Sequence, residues 1–244
     1  MKCKSLCWVG CAVTMLGWGT GAAQATTMKL DIGGTPFFDN IGLDVDPAPG
    51  QMNVTTSVGN FSVVITVATS NSPGSGSGGL LQITSLDIRN TSPGSSTLVI
   101  KLGDIDFTVP GSPGSFIQLD SSVGGTFVFG HVGDTASFQS FADPANGLLN
   151  LSAASTAPLP FTRSTTFLTE AFSGFNDAVF VKGGLYSLSN VITTSLSSGG
   201  QLNISGTTET VLVPDPGTGT VIVPEPASLS LLGLGSLLIL RRRR

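Results

Sequence analysis

Four apolar side chains recur at every second position of Phe61-Ser62-Val63-Val64-Ile65-Thr66-Val67, namely Phe61, Val63, Ile65 and Val67. Two is the strand period, so these four share one face of an extended segment, as a half-buried strand requires. Leu98, Ile100 and Leu102 do the same, and the apolar parity then flips at Gly103 to Ile105, Phe107 and Val109. Glycine at a parity switch predicts a bulge or bend there. Further strands are expected over residues 81–88, 115–119, 126–132, 136–141, 161–169, 178–181, 186–196 and 201–213. In the 186–196 run, Tyr186, Leu188, Ile192 and Leu196 should point inward, leaving Ser187, Ser189, Thr193 and Ser195 on a wet face. Helix formers are scarce: residues 26–213 hold two glutamates, Glu170 and Glu209, and three lysines, Lys29, Lys101 and Lys182. Almost no helix is expected. The fold class is all-β, an antiparallel β-sandwich of jelly-roll-like or meander course, on a body long enough for a core of its own.

The punctuation between strands is regular. Ser-Pro-Gly-Ser occurs at 72–75, 92–95 and 112–115, a spacing of 20 residues each time. Proline presets φ and glycine accepts φ > 0, so each Pro-Gly suits a type II turn. The flanking residues do not repeat with the turns, which favours evenly spaced hairpins in a meander over a solenoid. Gly199-Gly200 is expected to close a tight hairpin between the 186–196 and 201–213 runs.

Both ends are greasy. At the start, Lys2 and Lys4 precede a largely apolar stretch over 6–18, and Ala23-Gln24-Ala25 fits the small-x-small rule for cleavage of a signal peptide after Ala25. The three cysteines, Cys3, Cys7 and Cys11, fall in the part that would be removed. At the other end, Pro224-Glu225-Pro226 leads into an uncharged run over 227–240 and then Arg241, Arg242, Arg243 and Arg244. A helix over that run reaches about 21 Å, short of roughly 30 Å of hydrocarbon. Snorkelling arginines and a thinned bilayer make up the deficit, and the positive-inside bias keeps the arginines in the cytoplasm. The prolines hold Glu225 in an extended segment that a protease can reach.

Pro-Glu-Pro, a short apolar helix and a basic tail in that order resemble the PEP-CTERM sorting signal. In that family the signal is recognised and cut by exosortase, a membrane transpeptidase-like enzyme, in bacteria that typically build an extracellular polysaccharide matrix. The resemblance implies recognition through Pro224, Glu225 and Pro226, and a basic anchor at Arg241, Arg242, Arg243 and Arg244. The expected organisation is a signal peptide (1–25), a β-sandwich domain (26–213), a Pro/Gly linker (214–223) and the sorting signal (224–244). The expected partners are the Sec translocon, signal peptidase, exosortase and, before processing, the membrane, with exopolysaccharide outside the cell. Loss of Lys2, Lys4, Glu225 and the four arginines takes the formal net charge from −4 to −9. So acidic a body is a poor partner for nucleic acid.

Catalytic patterns are scarce. His131 is the single histidine, expected at a strand end, and no Gly-x-Ser-x-Gly elbow is present. With no cysteine in the body and one histidine, zinc is not expected, and no cofactor is. Residues 74–79 fit Gly-x-Gly-x-x-Gly, but a strand rather than a helix follows, so no phosphate cradle forms. The remaining candidates are carboxylates: Asp39, Asp44 and Asp46 in one loop, and Asp104 and Asp106 on one strand face. Such groups suit turns and solvated faces first, then calcium, then glycoside hydrolysis. Tyr186 is the one aromatic besides phenylalanine left to stack on a sugar, and the phenylalanines read as core. The expectation is an exported, non-enzymatic surface or matrix protein with a structural or adhesive role. A polysaccharide- or calcium-binding module is the second reading, and a glycoside hydrolase the third.

Overall fold

The computed structural model describes residues 27–165 and 169–215, and these form thirteen strands with no helix among them. In chain order they are β1 (Lys29–Ile32), β2 (Thr35–Phe38), β3 (Gln51–Val58), β4 (Phe61–Ser70), β5 (Leu80–Asn90), β6 (Ser96–Phe107) and β7 (Phe116–Phe129). Then come β8 (Thr135–Asp143), β9 (Ala154–Ser155), β10 (Leu159–Thr162), β11 (Glu170–Val181), β12 (Tyr186–Leu196) and β13 (Gln201–Leu212). Two antiparallel sheets result. The first runs β10-β8-β12-β6-β1-β2 with β9 on β8, and the second runs β11-β7-β13-β5-β4-β3.

The alternating apolar positions meet between these sheets. Leu98, Ile100 and Leu102 of β6 and Leu188, Ile192 and Leu196 of β12 face Phe61, Val63 and Ile65 of β4 and Leu202 and Ile204 of β13, all buried. Each such side chain contributes about 1.5–3 kcal/mol on burial. The packing is specific. Phe138 of β8 fills the space left by Gly206 of β13, where an added Cβ would stand 2.3 Å from the ring.

Chain connectivity departs from a meander. Consecutive strands share a sheet in β1-β2, β3-β4-β5 and β8-β9-β10, but from β5 to β8 the chain crosses between sheets at every step. Of the three Ser-Pro-Gly-Ser turns, only 72–75 therefore lies in a hairpin, while 92–95 and 112–115 turn corners from sheet to sheet. Gly74 and Gly114 take the positive φ expected of them, and Gly94 does not. Gly199-Gly200 is also a corner: Gly200 N donates to Ser197 O (2.9 Å), but β12 and β13 enter different sheets and face each other through the core.

Local corrections follow the same logic. The bulge in β6 lies beyond Gly103, since Tyr186 pairs with Phe107 and Leu188 with Asp104, leaving an extra residue at Ile105-Asp106 with Asp106 at φ 67°. The expected strands over 115–119 and 126–132 are one, β7; that over 178–181 begins at Glu170; that over 161–169 is cut to Leu159–Thr162. Ser187 and Ser189 are buried rather than wet. The loop after β8 folds over them, with Ser187 Oγ donating to Gly147 O (2.8 Å) and Leu149 lying against Gly103 and Ser189. Phe37, Phe61, Phe127, Phe138, Phe141 and Phe180 are core as expected, whereas Phe38, Phe129 and Phe175 are exposed.

Candidate functional site

Ala25, Pro224, Glu225, Pro226 and Arg241 to Arg244 lie outside the described residues, as do the segments expected to form a signal peptide and a C-terminal helix. What is on view is where the sorting end departs. Val213 N donates to Phe116 O (3.1 Å), continuing β13 along β7, and Pro214 and Asp215 then leave the second sheet beside Gly114 and Ser115. No helix among the described residues is long and apolar enough to cross a membrane.

The carboxylate candidates act mainly as receivers of backbone N–H groups. Asp44 accepts from the amides of Asn40 (2.8 Å), Asn53 (2.9 Å) and Asp46 (3.1 Å), and Asp46 from that of Ala48 (2.9 Å). Asp39, buried, accepts from Gly50 N (2.7 Å) and Asn40 Nδ2 (2.9 Å). This is how aspartate fixes a turn. Asp104 and Asp106 do not share a face, because the bulge intervenes. Asp104 is buried and receives Thr27 Oγ1, the amide of Ile105 (2.9 Å) and the Ser70 hydroxyl. Asp106 instead exchanges bonds with Asn146, accepting from Nδ2 (2.7 Å) and donating its amide to Oδ1 (2.8 Å). Burial is the main cause pushing both Asp39 and Asp104 above the ordinary carboxylate value, and the charge of Asp104 adds to the effect on Asp39. Thus the loop acids and Asp104 gather at one end of the sandwich. Among the described residues, no three His, Cys, Asp or Glu side chains are arranged to hold a metal ion.

That cluster has a testable pH signature. A carboxyl whose pKa is raised in the folded state costs stability as pH rises from its unfolded value through its folded one. Asp104→Asn removes this loss. The melting temperature of the variant relative to wild type should therefore climb as the pH rises above the ordinary aspartate value of about 4. A difference that stays flat, or falls, contradicts a buried Asp104.

His131 is exposed on the loop between β7 and β8, its amide held by Asp134 Oδ2 and Ser197 Oγ (both 3.1 Å). Tyr186, a candidate sugar platform from sequence, is fully buried. It stacks on Phe107 at 5.5 Å between centroids, donates to Val109 O and lies 2.8 Å from Thr210 Oγ1. Burial pushes its phenol up to about 12. Beside it the buried Lys182 sends Nζ to the carbonyls of Thr108, Gly111 (2.9 Å) and Pro110 (3.2 Å), 5.6 Å from the Tyr186 ring centroid. Every carbonyl from 108 to 111 is taken by one of these two side chains.

Two polar constellations escaped the sequence reading. In the core, Asn190 pairs with Ser140 in the first sheet and Thr208 with Ser121 in the second, and the pairs meet face to face. Ser140 Oγ stands 2.9 Å from Ser121 Oγ and 2.6 Å from Thr208 Oγ1; Thr208 Oγ1 donates to Asn190 Oδ1, and Asn190 Nδ2 to Leu81 O (3.2 Å). On the outer face of the second sheet, Asp177, Asp120 and Glu209 stand directly opposite one another on β11, β7 and β13. Parity alone was available for the first: Asn190 lies in phase with Leu188 and Ile192.

A search of curated proteins finds no match. Among solved structures, the chain is similar to TmCBM61 in complex with beta-1,4-galactotriose, at 7% identity and TM-score 0.29, covering 64% of this chain and 88% of that one. Carbohydrate-binding modules from the beta-sandwich super family are similar at 8% identity and TM-score 0.27, with 77% and 85% covered. Arabinose-bound MgGH51 α-L-arabinofuranosidase is similar at 10% identity and TM-score 0.30, with 78% of this chain and 27% of that one covered. Likeness at this level carries no argument about ligand or activity. A family model does match, that of the PEP-CTERM protein-sorting motif, over residues 223–244. The chain therefore carries a PEP-CTERM sorting motif at 223–244 and is a surface protein addressed to exosortase.

Proposed function

We propose that the mature chain is a non-catalytic, structural or adhesive component of the cell surface or the exopolysaccharide matrix. The sorting motif at 223–244 carries this reading. A signal peptide is removed after Ala25, and the short apolar segment with Arg241, Arg242, Arg243 and Arg244 holds the exported sandwich at the membrane. Exosortase then acts at Pro224-Glu225-Pro226, with the residues from Pro214 onward serving as spacer. The sandwich supports the non-catalytic part. Its buried and loop carboxylates are engaged by amides and hydroxyls, and its lone tyrosine is locked in the core.

Mass spectrometry of the chain from an exosortase-bearing host tests it. Wild type should be recovered outside the cell beginning at Thr26 and lacking the four arginines. The triple variant Pro224→Ala/Glu225→Ala/Pro226→Ala should remain with the membrane, tail intact, losing most of the surface signal. Deleting the chain should weaken matrix cohesion, and only the processed form should restore it. Surface wild-type protein that still ends in Arg244, or normal processing of the variant, contradicts the reading.

A further inference from the structure

The four edges of the sandwich are not treated alike. β2 and β10 are four residues long with Pro36 and Pro160 in them, and β9 is two residues long. The open side of β3 is covered by the preceding loop, through Val45 N to Asn53 O (3.1 Å) and Asn53 N to Asp44 Oδ1 (2.9 Å). Short strands, prolines and covering loops are the usual means of keeping an edge from pairing. β11 has none of them among the described residues. It is twelve residues long, pairs with β7 without a register shift, and contains neither proline nor lysine.

The alternation of the ladder shows what that edge offers. Lys182 N donates to Ser115 O (2.9 Å), so even-numbered residues of β11 turn their amides toward β7. Odd-numbered residues, 171 to 181, turn theirs to the open side. In keeping with this, the Asp177 amide finds only the neighbouring Asn176 Oδ1 (2.9 Å). The same odd residues are all exposed, and among them Phe175, Val179 and Val181 are apolar, at 60%, 49% and 50% exposure. An unpaired rim and an exposed apolar row thus coincide on one strand.

We infer that β11 pairs antiparallel with β11 of a second copy of this chain, joining two six-stranded sheets edge to edge. A two-fold axis makes the interface self-complementary, setting odd residues opposite odd residues and bringing both apolar rows onto one outer face. The register with Asn176 opposite itself overlaps residues 171–181 and sets Asp177 opposite Phe175 of the second copy. A shift that set Asp177 opposite itself would oppose like charges beside the existing row of Asp120 and Glu209. The chain's own C-terminal segment is a poorer occupant. Up to the sorting motif, prolines stand at 214, 216, 224 and 226, so the longest proline-free stretch left after processing there, 217–223, is shorter than the rim.

Sedimentation of the exported protein over a roughly hundredfold concentration range tests this. Wild type should pass reversibly from monomer to dimer. Phe175→Asp/Val179→Asp, which changes two exposed side chains and sets like charge opposite Asp177 of the second copy, should weaken the dimer at least ~30-fold while leaving the melting temperature of the dilute monomer unshifted. Val179→Pro deletes a rim amide while sparing the β7 ladder and should do likewise. Wild type that stays monomeric throughout overturns the pairing, and so does a dimer indifferent to both variants. Neither outcome bears on sorting through the C-terminal motif.

Discussion

Lys182→Met is expected to destabilise the sandwich by about 3 kcal/mol, because it removes the buried ammonium that three carbonyls of a partly buried corner share as their donor. Lys182 is the last residue before the chain turns from β11 to β12, and its stem lies against Tyr186. Its three acceptors, Thr108, Pro110 and Gly111, belong to the corner where the chain passes from β6 to β7. Burial alone pushes the ammonium below the ordinary lysine value. The carbonyl cage and the negative face of the ring oppose that push, so the charge is solvated by the protein in place of water. Methionine keeps the volume of the stem and offers the carbonyls nothing. For a domain of this size, the loss corresponds to a fall in melting temperature of about 6–12 °C. Tyr186→Phe orphans only the Val109 carbonyl, because Thr210 Oγ1 keeps its bonds with Gly79 N and O, and should cost about 1–2 kcal/mol. Since both side chains hold one four-residue segment, the double variant should lose less than the two single losses combined. Thermal melts of the four proteins check this, and a Lys182→Met melt within a degree of wild type would show that the corner is held some other way.

Two of the Gly-Gly pairs show how much of this architecture is legible in the chain. Gly199-Gly200 looks like a hairpin turn and is a corner between sheets, whereas Gly33-Gly34 is a true two-residue hairpin, with Ile32 opposite Thr35 and both glycines at positive φ. As dipeptides they are alike, although Gly200 closes its turn onto Ser197 and, of that pair, only Gly199 takes a positive φ. What differs is whether the next strand finds its partner in the same sheet, and that is decided by contacts distant in sequence. Period two gives each strand its inner and outer face, which is why Phe61, Val63 and Ile65, or Leu188 and Ile192, were placed correctly. It is silent on neighbours, so neither the exposure of β11 nor the row of Asp177, Asp120 and Glu209 could be read before the register was known. The β6 bulge shows a different limit. A parity switch was visible, but Gly103 drew attention to the wrong residue, and the extra position falls where Asp106 adopts the left-handed conformation that aspartate tolerates. The candidate site divides likewise. The sorting motif is contiguous and was readable whole, while the fate of each carboxylate depended on which amides the fold brought to it.

The central polar square should respond asymmetrically to substitution. Asn190→Leu keeps the shape of the side chain and removes its bonds, leaving Thr208 Oγ1 without its amide partner and withdrawing Asn190 Nδ2 from Leu81 O. A cost of about 2–3 kcal/mol is expected, because groups already removed from water lose partners and gain none. For this domain that is a fall of about 4–12 °C. Replacing all four members, as Asn190→Leu/Ser140→Ala/Thr208→Val/Ser121→Ala, removes every donor and acceptor of the square together. Stability should then return to within about 1 kcal/mol of wild type, since desolvation of polar groups offsets most of what their bonds contribute. The reason to retain such a square is register. A one-residue slip of β12 along β8 would carry Asn190 out of the core and Ser189 or Val191 into its place, leaving Thr208 and Ser140 facing an alien neighbour. Apolar pairs would penalise that slip less sharply, because any apolar side chain can meet any other. The quadruple variant should therefore unfold at nearly the wild-type temperature but with a broader transition and faster amide exchange in β8 and β12. A quadruple variant as destabilised as Asn190→Leu alone would instead mean that the square holds the two sheets together by net bonding energy.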